Sequence, residues 1–92
     1  MNAENHRAVC AAFGAVLKVV RDRSRVSQER LAELADLDRT MPSRYERGHQ
    51  LPTIASLIAI GHALGCDPCQ LLQMTIAKLR ELPSQHAATT ST

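Results

Sequence analysis

Apolar residues recur at steps of three and four along most of the chain, which is the pattern of helices that bury one face. In the first such segment, about residues 4–23, the repeat consists of Val9, Phe13, Val16, Leu17 and Val20. No segment alternates apolar and polar residues with a period of two, so no strand is predicted. The pattern therefore predicts an all-α protein that begins with an amphipathic helix.

Two short helices are predicted next, over residues 28–35 and 39–47. Ser27 precedes the first, where its hydroxyl can accept a free N–H of the opening turn, and the apolar face consists of Leu31, Leu34 and Ala35. Asp38 is the predicted N-cap of the second, and Gly48 follows its last residue. Only a tight turn separates the two helices.

The second half of the chain predicts two further helices. Thr53 can cap the fourth, Gly65 ends it, and its predicted buried side comprises Ile54, Leu57, Ile58, Ile60, Ala63 and Leu64. Asp67 and Pro68 open the fifth, which extends over residues 68–82. Residues 83–92 are small and polar, and disorder is predicted for them. The chain is thus interpreted as one domain over residues 1–82 followed by a disordered tail.

Basic residues are concentrated in the first half of a chain whose formal net charge is only +2. Beyond residue 50 the only lysine and arginine are Lys78 and Arg80, whereas the first half contains Lys18, Arg21, Arg23, Arg25, Arg39, Arg44 and Arg47. Such a surface suits nucleic acid, although a solvated face has the same composition. A chain of 92 residues has no room for a separate effector-binding domain.

Two short helices joined by a tight turn and covered by flanking helices form a helix-turn-helix. The segment SQERLAELADLDRTMPSRYERG resembles the helix-turn-helix of the Cro and phage-repressor type, the XRE family. Phe13, Gly14, Leu17 and Arg21 match landmarks of the family's first helix, and LPTIASLIAIGHALGCDPCQLL resembles its fourth and fifth helices. The resemblance implies a five-helix, lambda-repressor-like fold and a sequence-specific transcriptional regulator, either a repressor or a restriction-modification controller.

The resemblance further implies that the third helix enters the major groove of DNA. The predicted base-reading residues on its N-terminal half are Arg39, Thr40, Ser43 and Arg44. An arginine can donate two hydrogen bonds to O6 and N7 of guanine, and a threonine methyl can contact thymine. A phosphate contact is the alternative for each arginine, because at least half of protein–DNA hydrogen bonds involve the backbone.

Other residues are expected to bind phosphates or to support the fold. By resemblance, Gln28 at the start of the second helix contacts phosphate, where free N–H groups favour an anion. The predicted backbone contacts after the third helix are Arg47, His49 and Gln50; plain solvent exposure is the alternative for the last two. By resemblance Arg21 pairs with Glu46, while Tyr45 is assigned to the core with its hydroxyl at the surface.

The sequence departs from the family pattern at three positions. Arg25 and Asp36 stand where the family commonly has glycine, and aspartate tolerates the left-handed conformation better than arginine does. Pro42 replaces a branched apolar residue, cannot donate to the Asp38 carbonyl and disfavours helical angles at Met41. The first turn of the third helix is therefore expected to be tightened or displaced.

No metal, cofactor or catalytic activity is predicted. His62, Cys66 and Cys69 raise the question of a metal or redox centre, but no second cysteine pair accompanies them, so the cysteines are interpreted as small buried hydrophobes. No arrangement of Ser, His and an acid stands out. With no charged leader and no apolar run of ~18 residues, a cytoplasmic location is expected.

The expected partners are double-stranded DNA and a second copy of the chain. One recognition helix rarely supplies enough affinity, so we expect a homodimer on a partly palindromic operator. The predicted interface on the fifth helix comprises Leu72, Thr75, Ile76, Leu79 and Leu82. Covering the domain's own core is the alternative role of this stripe. An antitoxin that neutralises a protein toxin is the alternative function.

Overall fold

Five helices follow one another in the computed structural model, which describes residues 2–81. They are α1 (Ala3–Ser24), α2 (Gln28–Ala35), α3 (Met41–Glu46), α4 (Ile54–Leu64) and α5 (Pro68–Glu81). No strand occurs within the described range, and the prediction of an all-α, five-helix fold is confirmed. The predicted disordered tail, residues 83–92, and Leu82 of the predicted interface lie outside the described residues.

Side-chain caps begin α2 and α4 where the sequence predicts them. The Ser27 hydroxyl accepts a hydrogen bond from the N–H of Arg30 at 3.0 Å, and that of Thr53 accepts one from Ser56, also at 3.0 Å. Each cap satisfies one of the N–H groups that have no partner inside the helix. Gly65 ends α4 in the left-handed conformation, as predicted.

Two residues other than glycine adopt the left-handed conformation. Arg25 ends α1 with φ of 59°, and Asp36 ends α2 with φ of 55°. These are the two positions at which the family resemblance led us to expect glycine. The backbone geometry is therefore retained without the residue that adopts it most easily, and Arg25 has no short polar side chain to offset the strain.

The third helix begins two residues later than predicted. Pro42 is its second residue and is buried, a position where the missing N–H costs no helical hydrogen bond. Asp38 does not cap this helix, which corrects the prediction; its carboxylate instead accepts hydrogen bonds from the Thr40 N–H at 2.9 Å and the Thr40 hydroxyl at 2.7 Å. Arg39 and Thr40 therefore lie in a turn that precedes α3.

The core lies between α1 and the other four helices. Its buried members are Phe13, Val16, Leu17, Val20, Leu31, Ala35, Tyr45, Ile60, Leu64 and Leu71. Phe13 and Tyr45 meet edge to face, with ring centroids 6.3 Å apart. Tyr45 belongs to the core as predicted, with only 2% of its surface exposed.

Part of the predicted buried side of α4 is exposed. Ile54 is 77% exposed and Ile58 44%, whereas Ile60 and Leu64 are buried. Because α4 is apolar around most of its circumference, the sequence pattern could not distinguish the side that packs mainly against α2 and α5 from the side that does not. Leu34 of α2 is likewise more exposed than predicted.

Within residues 2–81, no single helix is long and apolar enough to cross a membrane. Only α4 and α5 taken together reach that length and hydropathy, and they meet at an angle of 104°.

Candidate nucleic-acid interface

The position of α3 is set by direct contact of its backbone with α1. A Cβ atom added to Gly14 would lie 2.5 Å from the carbonyl oxygen of Tyr45 and 2.8 Å from that of Glu46. No side chain fits in that space without moving the backbone of α3. Gly14 therefore allows the short α3 to lie directly against the long α1.

A second attachment of α3 is the ion pair between Arg21 and Glu46. Arg21 Nε donates to one carboxylate oxygen at 2.6 Å and an Nη donates to the other at 3.0 Å. Both side chains are largely buried, with 11% and 5% of their surfaces exposed. Removing one partner of such a pair leaves an uncompensated charge and costs about 3–5 kcal/mol. The hydrogen bonds to Glu46 raise the pKa of Arg21, while burial acts in the opposite direction.

Glu46 and Arg21 also connect α3 to the start of α2. The amide nitrogen of Gln28 donates to the Glu46 carboxylate at 3.0 Å, and the other Nη of Arg21 donates to the carbonyl of Val26 at 2.9 Å. The sequence predicted the Arg21–Glu46 pair by resemblance but did not anticipate the bonds to Gln28 and Val26. The only indication of the Gln28–Glu46 bond in the sequence was that a glutamine amide can donate a hydrogen bond and a glutamate carboxylate can accept one.

The predicted base-reading residues lie at and before the start of α3. Arg39, Thr40 and Arg44 are exposed, and Ser43 is half-buried. Arg44 is on the helix, whereas Arg39 and Thr40 belong to the turn closed by Asp38. Hydrogen bonds from Thr40 lower the pKa of the Asp38 carboxyl, with smaller contributions from the charges of Arg44 and Arg39.

The predicted phosphate-binding residues lie at two ends of the helix-turn-helix. Gln28 is the first residue of α2, and one hydrogen of its amide is already donated to Glu46. Arg47, His49 and Gln50 follow α3 and are exposed, with Arg47 Nε donating to the carbonyl of Ser43 at 3.4 Å. Gly48, between them, is left-handed with φ of 75° and ends α3 as predicted.

Three exposed arginines without an acidic partner lie in one short segment in and around α3. Among residues 2–81, the ion pairs within 4 Å are Lys18–Asp22, Arg21–Asp22, Arg21–Glu46, Arg30–Glu33 and Lys78–Glu81. Arg39, Arg44 and Arg47 take part in none of them. Three cations on one short segment are thus available to an anionic partner without breaking a pair inside the protein.

The predicted interface residues of α5 divide into two groups. Leu72 and Ile76 are 51% and 42% exposed, and Leu79 is half-buried. Thr75 is only 4% exposed and donates its hydroxyl to the Leu71 carbonyl at 2.8 Å. It belongs to the core of the protomer and cannot contribute to a surface, because its angular position on α5 is close to that of Leu71.

The cysteines form no recognisable centre. Cys10 is buried, Cys66 is half-buried and Cys69 is exposed, so the interpretation as buried hydrophobes is wrong for Cys69. Within the described part of the chain, no three His, Cys, Asp or Glu side chains come together as potential metal ligands.

Comparison with known proteins identifies the family to which this chain is similar. The family model of the helix-turn-helix domain matches residues 12–74. The control protein C.BamHI of Bacillus amyloliquefaciens is 39% identical over 64 residues, which are 68% of this chain and 79% of that protein.

Solved structures of regulators share the fold. The clp gene regulator ClgR of Corynebacterium glutamicum superposes with a TM-score of 0.73 at 25% identity, covering 90% of this chain and 84% of ClgR. The restriction-modification controller C.Esp1396I, solved as a tetramer with its natural 35 base-pair operator, gives a TM-score of 0.68 at 31% identity, covering 77% and 93%. With the match over residues 12–74, these relatives show that the chain belongs to the helix-turn-helix family of DNA-binding transcriptional regulators.

Proposed function

We propose that this regulator is a controller of the restriction-modification type that binds a partly palindromic operator as a two-fold dimer. The observation that carries the proposal is the exposure of Arg39 and Arg44, without acidic partners, at the start of an α3 whose opposite side is fixed by Gly14 and Glu46. C.BamHI and C.Esp1396I, to which the chain is similar, are themselves a control protein and a restriction-modification controller.

In this proposal the start of α3 faces base-pair edges in the major groove. Arg44 and Arg39 donate to guanine acceptors, and Thr40 and Ser43 contact neighbouring bases. The Asp38 carboxylate orients the turn by holding the N–H and the hydroxyl of Thr40. The hydroxyl hydrogen of Thr40 is then already used, so its contribution to the bases is its methyl group and the acceptor side of its oxygen.

Phosphate contacts on both sides of α3 would fix its depth in the groove. At the start of α2, the second amide hydrogen of Gln28 and the free N–H groups of the first turn can bind one phosphate. After α3, Arg47, His49 and Gln50 can bind phosphates further along the strand. Because Glu46 links Gln28 to Arg21, the first phosphate site and the recognition helix are parts of one rigid unit.

The proposed dimer surface comprises exposed apolar residues of both α4 and α5. Gly61 and Pro68 touch where the two helices meet, since a Cβ added to Gly61 would lie 2.7 Å from Pro68 Cγ. From this corner Ile54 and Ile58 extend along α4, and Leu72 and Ile76 along α5, each pair at a spacing of four residues. Removing such side chains from water contributes about 1.5–3 kcal/mol each when burial is complete. In a two-fold symmetric contact, both protomers bury the same set of side chains.

The test of base reading compares Arg44→Ala with Arg47→Ala on operator DNA and on random duplex. The operator is first selected from a random pool by the wild-type protein. We expect Arg44→Ala to lose about tenfold or more in affinity for the operator and little for random DNA, because a bidentate arginine discriminates by about 1–3 kcal/mol. Arg47→Ala, a phosphate contact, should weaken both complexes equally. If Arg44→Ala lowered the affinity for the operator and for random DNA equally, Arg44 would not be a base-reading residue.

The relatives reported above do not support the alternative function of an antitoxin, because their names denote controllers and gene regulators rather than partners of a toxin.

A further inference from the structure

We propose that Arg7, near the start of α1, is an additional phosphate contact that extends the DNA-binding surface beyond the end of α3. The inference rests on the proposed function, since it places Arg7 next to the predicted backbone contacts His49 and Gln50. Neither the family pattern nor the predicted site includes this residue.

The first step is the contact between α1 and the end of α3. A Cβ atom built on Gly48 would lie 3.6 Å from the Cα of Ala11 and 3.7 Å from the carbonyl carbon of Cys10. The turn that contains Gly48 therefore packs on the backbone of α1 at residues 10 and 11. His49 and Gln50 follow Gly48 directly in the chain, so they begin at this contact with α1.

The second step is the face of α1 on which Arg7 lies. Positions 7, 11, 14, 18 and 21 are separated by three or four residues and so share one side of the helix. Ala11, Gly14 and Arg21 on this side contact α3 or the turn after it. Arg7 is one turn before Ala11, about 6 Å further along the helix axis. Its side chain leans toward the helix start, because Cα–Cβ bonds tilt that way.

The third step is the charge. Arg7 is exposed and takes part in none of the ion pairs found among residues 2–81, and the acidic residue of its own turn, Glu4, pairs with nothing there either. With Arg44 and Arg47, Arg7 completes a series of unpaired cations from the start of α3 to the start of α1. A phosphodiester strand that leaves α3 on this side would meet Arg7 after His49 and Gln50.

The test is the salt dependence of DNA binding by wild type, Arg7→Ala and Arg7→Lys, measured on the selected operator and on random duplex. Each phosphate neutralised adds about 0.9 to the slope of log K against log salt. A dimer with two Arg7 side chains should therefore lose about 1.8 from its slope in Arg7→Ala, on both duplexes, and regain most of it in Arg7→Lys.

Arg23→Ala is the matched control on the same helix. Arg23 is also exposed and without an ion pair within the described residues, and sixteen residues at 100° each place it about 160° around α1 from Arg7. The slope of log K against log salt for Arg23→Ala should equal that of wild type. An Arg7→Ala slope equal to that of Arg23→Ala would overturn the inference while leaving the proposed function intact. Failure of wild type to bind any duplex in low salt would overturn both.

Discussion

Glu46 connects α3 to α1 and to the start of α2, and so fixes the orientation of α3. Its carboxylate accepts two hydrogen bonds from Arg21 and one from Gln28, so three helices meet at one side chain. A buried carboxylate is tolerated only because these donors replace water. The same bonds leave Arg44 and Arg47, its neighbours in sequence, free of an acidic partner. One acidic residue thus orients the segment whose cations remain available for DNA.

Arg25 provides a test of backbone strain at the residue scale. Its φ of 59° places the Cβ near the following carbonyl, which costs about 1–2 kcal/mol for residues other than glycine. Arg25→Gly should raise the free energy of unfolding by about 1 kcal/mol, since the larger unfolded-state entropy of glycine offsets part of the gain. Urea denaturation of the two proteins measures the difference.

Arg25→Ala is the control for this substitution, because it removes the same charge and keeps the Cβ. Its free energy of unfolding should remain within about 0.5 kcal/mol of wild type. A glycine variant no more stable than the alanine variant would contradict the assignment of strain.

For the individual helices, the sequence predicted those starts and ends that depend only on local chemistry. The caps at Ser27 and Thr53 and the ends at Gly48 and Gly65 need only a side chain and the adjacent backbone, so their positions could be predicted. The start of α3 could not be placed as well. Asp38 had two possible roles, as helix cap or as turn former, and the burial of Pro42 at the second helical position decided between them.

Long-range packing limited what could be predicted about α4 and the site. Which side of α4 is buried depends mainly on where α2 and α5 lie, and the apolar sequence of α4 has too little polar contrast to indicate it. The bond from Gln28 to Glu46 joins residues eighteen positions apart, and it follows from the contact of α3 with Gly14 rather than from any local pattern. By contrast, Arg21 and Glu46 were identified through the family resemblance.

In the whole molecule, the unpaired arginines of the helix-turn-helix and the largest group of exposed apolar side chains lie on different helices. Arg39, Arg44 and Arg47 lie in and beside α3, whereas the apolar side chains lie on α4 and α5, namely Ile54, Ile58, Leu72 and Ile76. Such a division suits a regulator in which one surface meets DNA and another meets a second protomer. In a two-fold dimer, two copies of α3 about 34 Å apart would face successive major grooves on one side of the duplex.

Ile76→Glu tests the dimer surface at this scale. A charge in the centre of an apolar contact must be desolvated, so we expect a monomer by sedimentation and a large loss of operator affinity. Ala77→Glu should remain dimeric, because Ala77 is also exposed but lies about 100° around α5 from Ile76, on the side toward Val16 and Val19 of α1. An unchanged dimer in Ile76→Glu would show that the contact lies elsewhere, and circular dichroism checks that both variants are folded.

If the start of α3 and the residues after it form the DNA surface, their backbone amide resonances should shift when the protein is titrated with the selected operator. We predict the largest shifts at residues 28, 39–41, 43, 44 and 47–50, since Pro42 has no amide hydrogen, with small changes along the exposed side of α5. A titration in low salt that leaves residues 39–50 unshifted, or that shifts only α5, would contradict the account.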